Sequence, residues 1–242
     1  MKQNKYDDPD FFLAYSKMTR SIDGLAGAGE WEKFREHLPA LQGKRVLDLG
    51  CGYGWHCQFA SEQGASEVIG LDLSEKMLSK AKALTSNKNI SYVRSAIEDF
   101  DAPPHSFDVI FSSLALHYIK DLGAVFSKVK KLLVSGGVFY YSVEHPIFTS
   151  IDKQDWIYKN DTPQHWPVDN YFDESERVTT FLGSEVVKYH RTIESHLSGL
   201  LANGFEIQAV LEPLPPIDMV EKMEWWNELR RPMMLIIKVV KK

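Results

Sequence analysis

A strand that breaks into a glycine-rich turn and continues as a helix constrains this chain more than any other stretch. Residues 45–57 read RVLDLGCGYGWHC. The apolar residues before the turn predict a buried strand. Gly50 and Gly52 predict a tight turn whose backbone N–H groups a ligand can approach, because no Cβ stands in the way. Strand, turn and helix together predict an element that holds a nucleotide-like ligand.

Two acidic residues sharpen this interpretation. Asp48 stands two residues before the first glycine, and Asp72 ends the next apolar run, VIGLD at 68–72. An acid at the tip of the second strand can accept hydrogen bonds from both hydroxyls of a ribose. Trp55 occupies the position of the third glycine in a dinucleotide-binding turn,. A nicotinamide-dependent oxidoreductase on a related fold is therefore an alternative that this spacing argues against.

From residue 41 onward, predicted strands and helices alternate five times. This alternation predicts an α/β fold with a doubly wound, parallel sheet. A change of rhythm after residue 149 indicates an insertion that ends in a hairpin at 177–190, and two closing strands are predicted at 205–211 and 233–240. The five alternating strands are predicted at 44–49, 67–72, 89–94, 107–112 and 137–143, and the helices between and after them at 53–63, 74–84, 121–133 and 193–202.

The N-terminal region is predicted to be helical. Asp10 is a candidate N-cap for a helix at 11–18 with an aromatic face, and a second helix is predicted at 31–38. The glycine-rich segment 24–29 between them is typical of a hinge or loose loop. A helix before a hinge suits a lid, although packing of its aromatic face into the core is equally compatible.

Composition limits the possible partners. Apolar residues make up 44% and charged residues 25% of the 242, and the net charge of −5 gives no indication of a nucleic-acid partner,. The two cysteines, Cys51 and Cys57, are predicted to be free thiols, and no further ligand stands at a spacing that suits a metal. No apolar run approaches the ~20 residues of a membrane helix. Residues 1–10 lack an apolar signal core, so a cytoplasmic location is expected.

The chain resembles the class I S-adenosylmethionine-dependent methyltransferases in its glycine turn, in its two acidic residues, and in the order of the segments that follow its predicted strands. It is similar in particular to the small-molecule branch around ubiquinone- and menaquinone-biosynthesis methyltransferases, clearly over residues 41–144 and weakly elsewhere. The resemblance implies a seven-stranded, mostly parallel, Rossmann-like sheet with an antiparallel C-terminal strand and a small insertion over the substrate site. It implies S-adenosylmethionine as cofactor, no metal, and a small-molecule methyl acceptor.

The same resemblance implies a single methyltransferase domain, 1–242, without a membrane span, acting as a monomer or homodimer. A non-catalytic, S-adenosylmethionine-binding regulatory or assembly module is an open alternative. The domain is expected to comprise a helical lid at 1–40, a cofactor-binding core at 41–144, a substrate-side insertion at 145–192, and a C-terminal helix with closing strands at 193–242.

Ligands of open parallel sheets bind beyond the carboxyl ends of the strands. In the family, Asp72 would bind the ribose and Asp48 would support the methionine end. Ala96 stands where a carboxylate usually receives the adenine amino group, so Glu98 is expected to supply that acceptor. The cofactor-binding residues implied are Tyr15, Asp48, Gly50, Gly52, Asp72, Leu73, Ala96, Ile97, Glu98, Ser112 and Leu114.

The acceptor side is less well specified. His117, Glu144, His145 and His190 are the candidate catalytic residues, because a histidine can act as a general base near neutral pH. The alternative is that His117 packs structurally and the other three brace the insertion. Aromatic residues of the insertion indicate a flat or apolar acceptor, or else a second core. They are Trp156, Trp166, Tyr171 and Phe172.

Overall fold

The computed structural model describes residues 3–242, which form one large sheet, two hairpins and flanking helices. The strands are β1 (Arg45–Leu49), β2 (Glu67–Asp72), β3 (Ile90–Arg94), β4 (Phe107–Ser113), β5 (Leu133–Glu144), β6 (Ile157–Lys159), β7 (Thr162–His165), β8 (Glu176–Phe181), β9 (Ser184–Tyr189), β10 (Phe205–Leu211) and β11 (Met234–Lys241). The α-helices are α1 (Pro9–Tyr15), α2 (Thr19–Ile22), α3 (Trp31–Glu36), α4 (Trp55–Glu62), α5 (Glu75–Leu84), α6 (Leu122–Leu132), α7 (Pro146–Thr149), α8 (Ile193–Ala202) and α9 (Ile217–Met223).

The large sheet has the order β10-β11-β5-β4-β1-β2-β3. Strands β1 to β5 pair in parallel, whereas β11 pairs antiparallel with both β5 and β10. This confirms the predicted α/β fold with a seven-stranded, mostly parallel sheet and an antiparallel C-terminal strand. The chain order reverses between β1 and β4, and a ligand crevice is expected at such a switch point.

Helices cover both faces of the sheet, so its central strands are buried on both sides. Val46 packs into a cluster with residues of α3 and α4, whereas its neighbour Leu47 packs into a cluster with residues of α6 and α8. Burial on both faces explains why these strands are continuously apolar in sequence. In residues 3–242, no helix is both long and apolar enough to cross a membrane.

Capping residues fix several helix starts. Ser74 accepts a hydrogen bond from the Met77 N–H and Thr192 accepts one from the Ser195 N–H. The predicted cap at Asp10 is wrong. The carboxylate of Asp8 caps α1 instead, because Pro9 suits the first helical position,.

The glycine-rich segment 24–29 is not the predicted loose loop. Residues Gly24–Gly27 form a 3₁₀ helix. A Cβ on Gly27 would lie 2.3 Å from the carbonyl oxygen of Thr19, whose hydroxyl donates to the Gly27 carbonyl at 3.0 Å. The glycine therefore permits close backbone packing, and nothing in this contact supports a hinge.

The insertion contains more regular structure than its sequence indicates. The hairpin predicted at 177–190 is present as β8 and β9. A second hairpin, β6 and β7, and the helix α9 after the Pro-rich loop were not predicted. The division of the chain into a lid, core, insertion and C-terminal region stays a prediction.

Gly70, in the middle of β2, allows the turn and α4 to pack on the sheet. A Cβ there would lie 2.8 Å from Cys57 Sγ and 2.9 Å from Cys51 Sγ. Gly70→Ala is therefore expected to lower the free energy of unfolding by about 1–3 kcal/mol through overpacking, as measured by urea denaturation. The control is Gly123→Ala in α6, where the added Cβ meets only one side-chain oxygen, at 3.5 Å. Equal stability of the two variants would contradict the packing.

Candidate active site

A cavity of about 870 Å³ opens at the carboxyl ends of the central strands. It reaches from the β1 and β2 endings across β4 and β5 to the hairpin β8–β9. The sequence-predicted residues that line it are Tyr15, Gly50, Gly52, Asp72, Leu73, Ala96, Ile97, Glu98, Leu114, His117 and Glu144. Asp48, Ser112, His145 and His190 are not among the lining residues.

The glycine turn is held open by Asp72. Its carboxylate accepts hydrogen bonds from the Gly52 N–H at 2.9 Å and the Ser74 N–H at 2.8 Å. Gly52 has φ +53°, and no atom lies within 4 Å of the position of a Cβ there, so the turn presents bare backbone to the cavity. Burial raises the pKa of Asp72 to about 6, against the opposing effect of the two N–H donors.

Gly50 is required for a different reason. Its φ is +80°, and a Cβ would lie 2.4 Å from the Cβ of Ala115, in the segment that follows β4. The N–H groups of Gly50 and Cys51 both donate to the Leu71 carbonyl, at 2.9 and 2.7 Å. The tips of β1, β2 and β4 therefore meet at this turn.

Asp48 and Ser112 lie behind the glycine turn, outside the cavity lining. Ser112 donates to the carbonyl oxygen of Leu49 at 2.6 Å. The Asp48 carboxylate accepts a hydrogen bond from Cys57 Sγ at 3.4 Å, and its Oδ1 has no hydrogen-bond partner within residues 3–242. Burial raises the pKa of Asp48 to about 7. Neither residue lines the cavity: Ser112 contacts the end of β1, directly before the turn, and Asp48 contacts α4, which follows the turn.

The segment after β3 forms another wall. Ala96 and Ile97 are buried and line the cavity. Lys128 on α6 was not predicted, yet its ammonium donates to the backbone carbonyls of Ile97, Glu98 and Phe100. This bracket from a neighbouring helix fixes the backbone that would face an adenine.

An arginine that the sequence did not single out also lines the cavity. Arg20, in α2, forms a 2.6 Å ion pair with Glu30, and Ser113 at the end of β4 donates to the same carboxylate at 3.4 Å. Burial lowers the pKa of Arg20, but Glu30 more than offsets this and the pKa rises. Nothing in its local pattern separates Arg20 from an ordinary solvated arginine.

The part of the cavity beside β5 and the hairpin β8–β9 contains a closed ring of three side chains. Lys188 Nζ donates to Glu144 Oε1 at 2.6 Å and to Gln154 Oε1 at 3.2 Å, and Gln154 Nε2 donates to Glu144 Oε2 at 3.0 Å. Burial raises the pKa of Glu144, but His117, Lys188 and these hydrogen bonds outweigh it, so the pKa lies below its ordinary value. Glu144 is therefore an ionised and engaged carboxylate.

The histidines occupy three separate environments. Burial lowers the pKa of His117 to about 4, so it is neutral at pH 7, and its Nδ1 accepts from the Glu144 N–H at 3.5 Å. His145 caps α7 through Nδ1, and its Nε2 pairs with Glu212 at 2.9 Å. His190 bonds to Thr149 Oγ1 at 2.8 Å. Of the four candidate catalytic residues, His117 and Glu144 therefore line the cavity, whereas His145 and His190 do not.

The four aromatic residues of the insertion that the sequence singled out lie outside the cavity wall. Trp156 and Trp166 pack around the guanidinium of Arg231, at 5.8 and 4.2 Å from its carbon to the ring centroids. Phe172 is 89% exposed. None of these four residues lines the cavity. Its aromatic lining residues are Tyr6, Tyr15, Tyr118, Phe148, Phe181, Tyr189 and Trp225, of which Phe148, Phe181 and Tyr189 come from other parts of the same insertion.

Comparison with known proteins identifies the family. A family model described as a methyltransferase domain matches residues 47–141. A crystal structure described as an S-adenosylmethionine-dependent methyltransferase from Listeria monocytogenes is 48% identical, with a TM-score of 0.86 over 90% of this chain and 99% of that one. This chain belongs to the class I S-adenosylmethionine-dependent methyltransferases.

Two further similarities add detail to this methyltransferase. The S-adenosylmethionine-dependent methyltransferase from Mesorhizobium loti is 42% identical, with a TM-score of 0.84 over 90% of this chain and 100% of that one. A ubiquinone biosynthesis O-methyltransferase from Idiomarina loihiensis is 39% identical, over only 44% of each chain. Other partial matches are named for protein arginine and tRNA modification, so these matches leave the acceptor class undetermined.

Family membership confirms the predicted methyltransferase and sets aside the oxidoreductase and the non-catalytic module. S-adenosylmethionine is accordingly the cofactor of the family, and the cavity residues fit it. The open backbone at Gly52 and the carboxylate at Asp72 suit an amino-acid tail and a ribose. Within the part of the chain that the structure describes, no group of three or more His, Cys, Asp or Glu residues could hold a metal ion.

The buried carboxyl of Asp48 predicts a pH effect on stability. Its pKa is about 7 in the folded protein against an ordinary 3.8, so its contribution is full below pH 4 and is lost as the pH rises towards 7. In cofactor-free protein, the free energy of unfolding of the wild type relative to Asp48→Asn should fall between pH 4 and 7 by roughly 1–4 kcal/mol. Urea denaturation across this range measures it, and parallel pH profiles would contradict the raised pKa.

Proposed function

We propose that this methyltransferase acts on a small-molecule acceptor, by direct transfer of the methyl group from the sulfonium. The observation that carries the proposal is that one cavity of about 870 Å³ is lined both by the glycine turn and by the hairpin β8–β9. This volume lies within the range of about 300–1,000 Å³ that is usual for small-molecule sites. A net charge of −5 offers no attraction to a polyanion such as tRNA,.

The N-terminal segment supports the proposal because it crosses the cavity. Gln3 bonds to the backbone of Val187 in β9 through both ends of its amide, while Asp7 accepts hydrogen bonds from Ser74 Oγ and the Lys76 N–H at the start of α5. Asn4, Lys5 and Tyr6 between these anchors line the cavity. A chamber covered in this way excludes bulk water and restricts acceptor size.

The cofactor-binding assignments follow the cavity walls. Asp72 would accept the ribose hydroxyls, the Gly50–Gly52 backbone and Arg20 would bind the amino-acid end, and the 96–98 segment would hold the adenine. S-adenosylmethionine supplies a methyl group already activated on a sulfonium. The residues of this chain therefore mainly align two reactants, an effect worth on the order of 7–11 kcal/mol when orientation is good.

Positioning suits the acceptor-side residues better than proton transfer does. The neutral His117, with a pKa of about 4, is a poor base at pH 7. The carboxylate of Glu144 is already engaged by Lys188 and Gln154. We infer that His117 and Glu144 shape the acceptor chamber and that His145 and His190 brace the insertion. A cytoplasmic location and a monomeric or homodimeric state stay predictions.

Loss of the ribose acceptor should weaken cofactor binding. Asp72→Ala is expected to reduce the affinity for S-adenosylhomocysteine by roughly 1–3 kcal/mol in calorimetry. Asp72→Asn keeps one acceptor oxygen and should fall in between. The matched control is Asp101→Ala, an exposed acid after β3 that pairs with Lys131. An unchanged affinity in Asp72→Ala would remove this residue from the cofactor site.

Arg20 is expected to act on the other half of the cofactor. Arg20→Met should weaken binding of S-adenosylhomocysteine about tenfold or more, as expected for loss of a charge-assisted hydrogen bond. It should leave binding of 5′-methylthioadenosine, which lacks the amino-acid end, unchanged. Asp72→Ala should weaken both ligands. If Arg20→Met weakens both ligands equally, Arg20 does not contact the amino-acid end.

The acceptor class is tested by following the methyl group. The protein is incubated with methyl-labelled S-adenosylmethionine and a cell extract, with Asp72→Ala as the matched control. Among the compounds that pass a dialysis membrane, label above that control should appear in molecules other than S-adenosylmethionine, separated from it by chromatography. Label confined to retained protein or RNA would contradict a small-molecule acceptor while leaving the cofactor site intact.

A further inference from the structure

We propose that the acceptor presents an oxyanion, either a carboxylate or an ionised hydroxyl, and that the ammonium of Lys188 binds it. This inference rests on the proposed small-molecule acceptor and specifies its chemistry. Neither Lys188 nor its partner Gln154 stands out in the sequence.

The position of Lys188 assigns it to the acceptor half of the cavity. The chain order reverses between β1 and β4, and the glycine turn and Asp72 lie at β1 and β2. Lys188 belongs to β9, and its ammonium reaches Glu144 at the tip of β5, on the opposite side of that reversal. It lines the cavity although only 2% of its side chain is exposed.

A buried ammonium costs free energy unless its hydrogen bonds are satisfied. An ammonium has three N–H donors, and within residues 3–242 two of them are used, on Glu144 and Gln154. The ring of Phe181 lies 5.4 Å from Nζ. The third donor is therefore available to a ligand in the cavity that Lys188 lines.

Glu144 and Gln154 hold this donor in place. Both oxygens of Glu144 are engaged, and Gln154 Oε1 also accepts from Thr179 Oγ1 at 3.1 Å. A closed ring of this kind restricts the lysine to one geometry, whereas a lysine at the surface samples many. The ring therefore preorganises a positive hydrogen-bond donor.

The charges next to Lys188 favour an anionic acceptor over a cationic one. The ion pair of Lys188 with Glu144 is neutral, and His117 beside it is neutral at pH 7. A donor molecule with a sulfonium adds positive charge to the same cavity. A cationic acceptor would face both this charge and the ammonium of Lys188, whereas an oxyanion would be attracted to both.

Apolar side chains also line this part of the cavity, so a compact apolar body behind the oxyanion would be accommodated. The wall residues that indicate this are Phe148, Phe181, Val186, Pro213 and Met233. Simple benzene derivatives with different charges are therefore suitable probes.

The test compares three probes of similar shape by calorimetry: benzoate, benzamide and benzylamine. The protein is saturated with sinefungin, whose amine replaces the sulfonium charge. Benzoate should bind about tenfold or more tightly than benzamide, because a charge-assisted hydrogen bond contributes on the order of 1.5–3 kcal/mol. Benzylamine should bind least. This wild-type comparison needs no variant, and equal affinities for benzoate and benzamide, or a preference for benzylamine, would overturn the carboxylate arm.

The variant Lys188→Met should abolish the preference for benzoate, whereas Lys153→Met, at an exposed lysine of the cavity lining, should keep it. Melting temperatures with sinefungin establish that both variants are folded. A folded Lys188→Met that still prefers benzoate would show that another group binds the anion, which overturns the assignment to Lys188.

The second possibility, an acceptor with an ionised hydroxyl, is tested with 4-nitrophenol, because its absorbance shows whether it is ionised. Binding next to Lys188 should lower the pKa of the bound phenol in the wild type, with no such effect in Lys188→Met. If neither benzoate nor the nitrophenolate is favoured while sinefungin still binds, the oxyanion proposal fails alone. The proposed small-molecule acceptor fails separately, when the labelled methyl group is found only in macromolecules.

Discussion

The carboxylate of Asp72 is the interaction on which the rest of the site depends. By accepting from the N–H groups of Gly52 and Ser74, it ties the turn after β1 to the start of α5. This bridge holds a bare stretch of backbone at the mouth of the cavity. Its cost is a buried carboxylate with a raised pKa of about 6, which hydrogen bonds from a ribose would help to offset.

Each of the two halves of the cavity contains an ion pair between a cation and a carboxylate. On the cofactor side, Arg20 is paired with Glu30, and on the acceptor side Lys188 is paired with Glu144. In each case a carboxylate in the wall neutralises and orients a cation that lines the cavity. Such pairs stabilise the fold little in themselves, and their value lies in holding a donor ready for a ligand.

Most of the residues predicted to bind the cofactor line the cavity, because their positions on the sheet are determined locally. Gly50, Gly52 and Asp72 follow directly from apolar strands, so their positions in the sequence determine where they lie on the sheet. Ser74 and Thr192 stand at the starts of two predicted helices and cap them in the structure, because a cap depends on a few neighbouring residues.

The acceptor half depends on contacts between distant residues, which local spacing does not encode. Lys188 pairs with a residue 44 positions away, and Arg20 becomes notable only through Glu30. Adjacency in sequence was misleading for His145, because its side chain turns away from Glu144 to cap α7 and meet Glu212. In the sequence, a histidine that follows a strand and caps the next helix cannot be told apart from a histidine that forms a catalytic pair with the residue before it.

The central claim is that donor and acceptor meet in one cavity across the switch point of the sheet. A crystal structure of the protein grown with S-adenosylhomocysteine tests it most directly. We expect the ribose hydroxyls within hydrogen-bond distance of Asp72, the amino-acid end at the Gly50–Gly52 backbone and Arg20, and the sulfur facing the half that holds His117 and Lys188. A ligand bound elsewhere, or with its sulfur facing away from that half, would contradict the account.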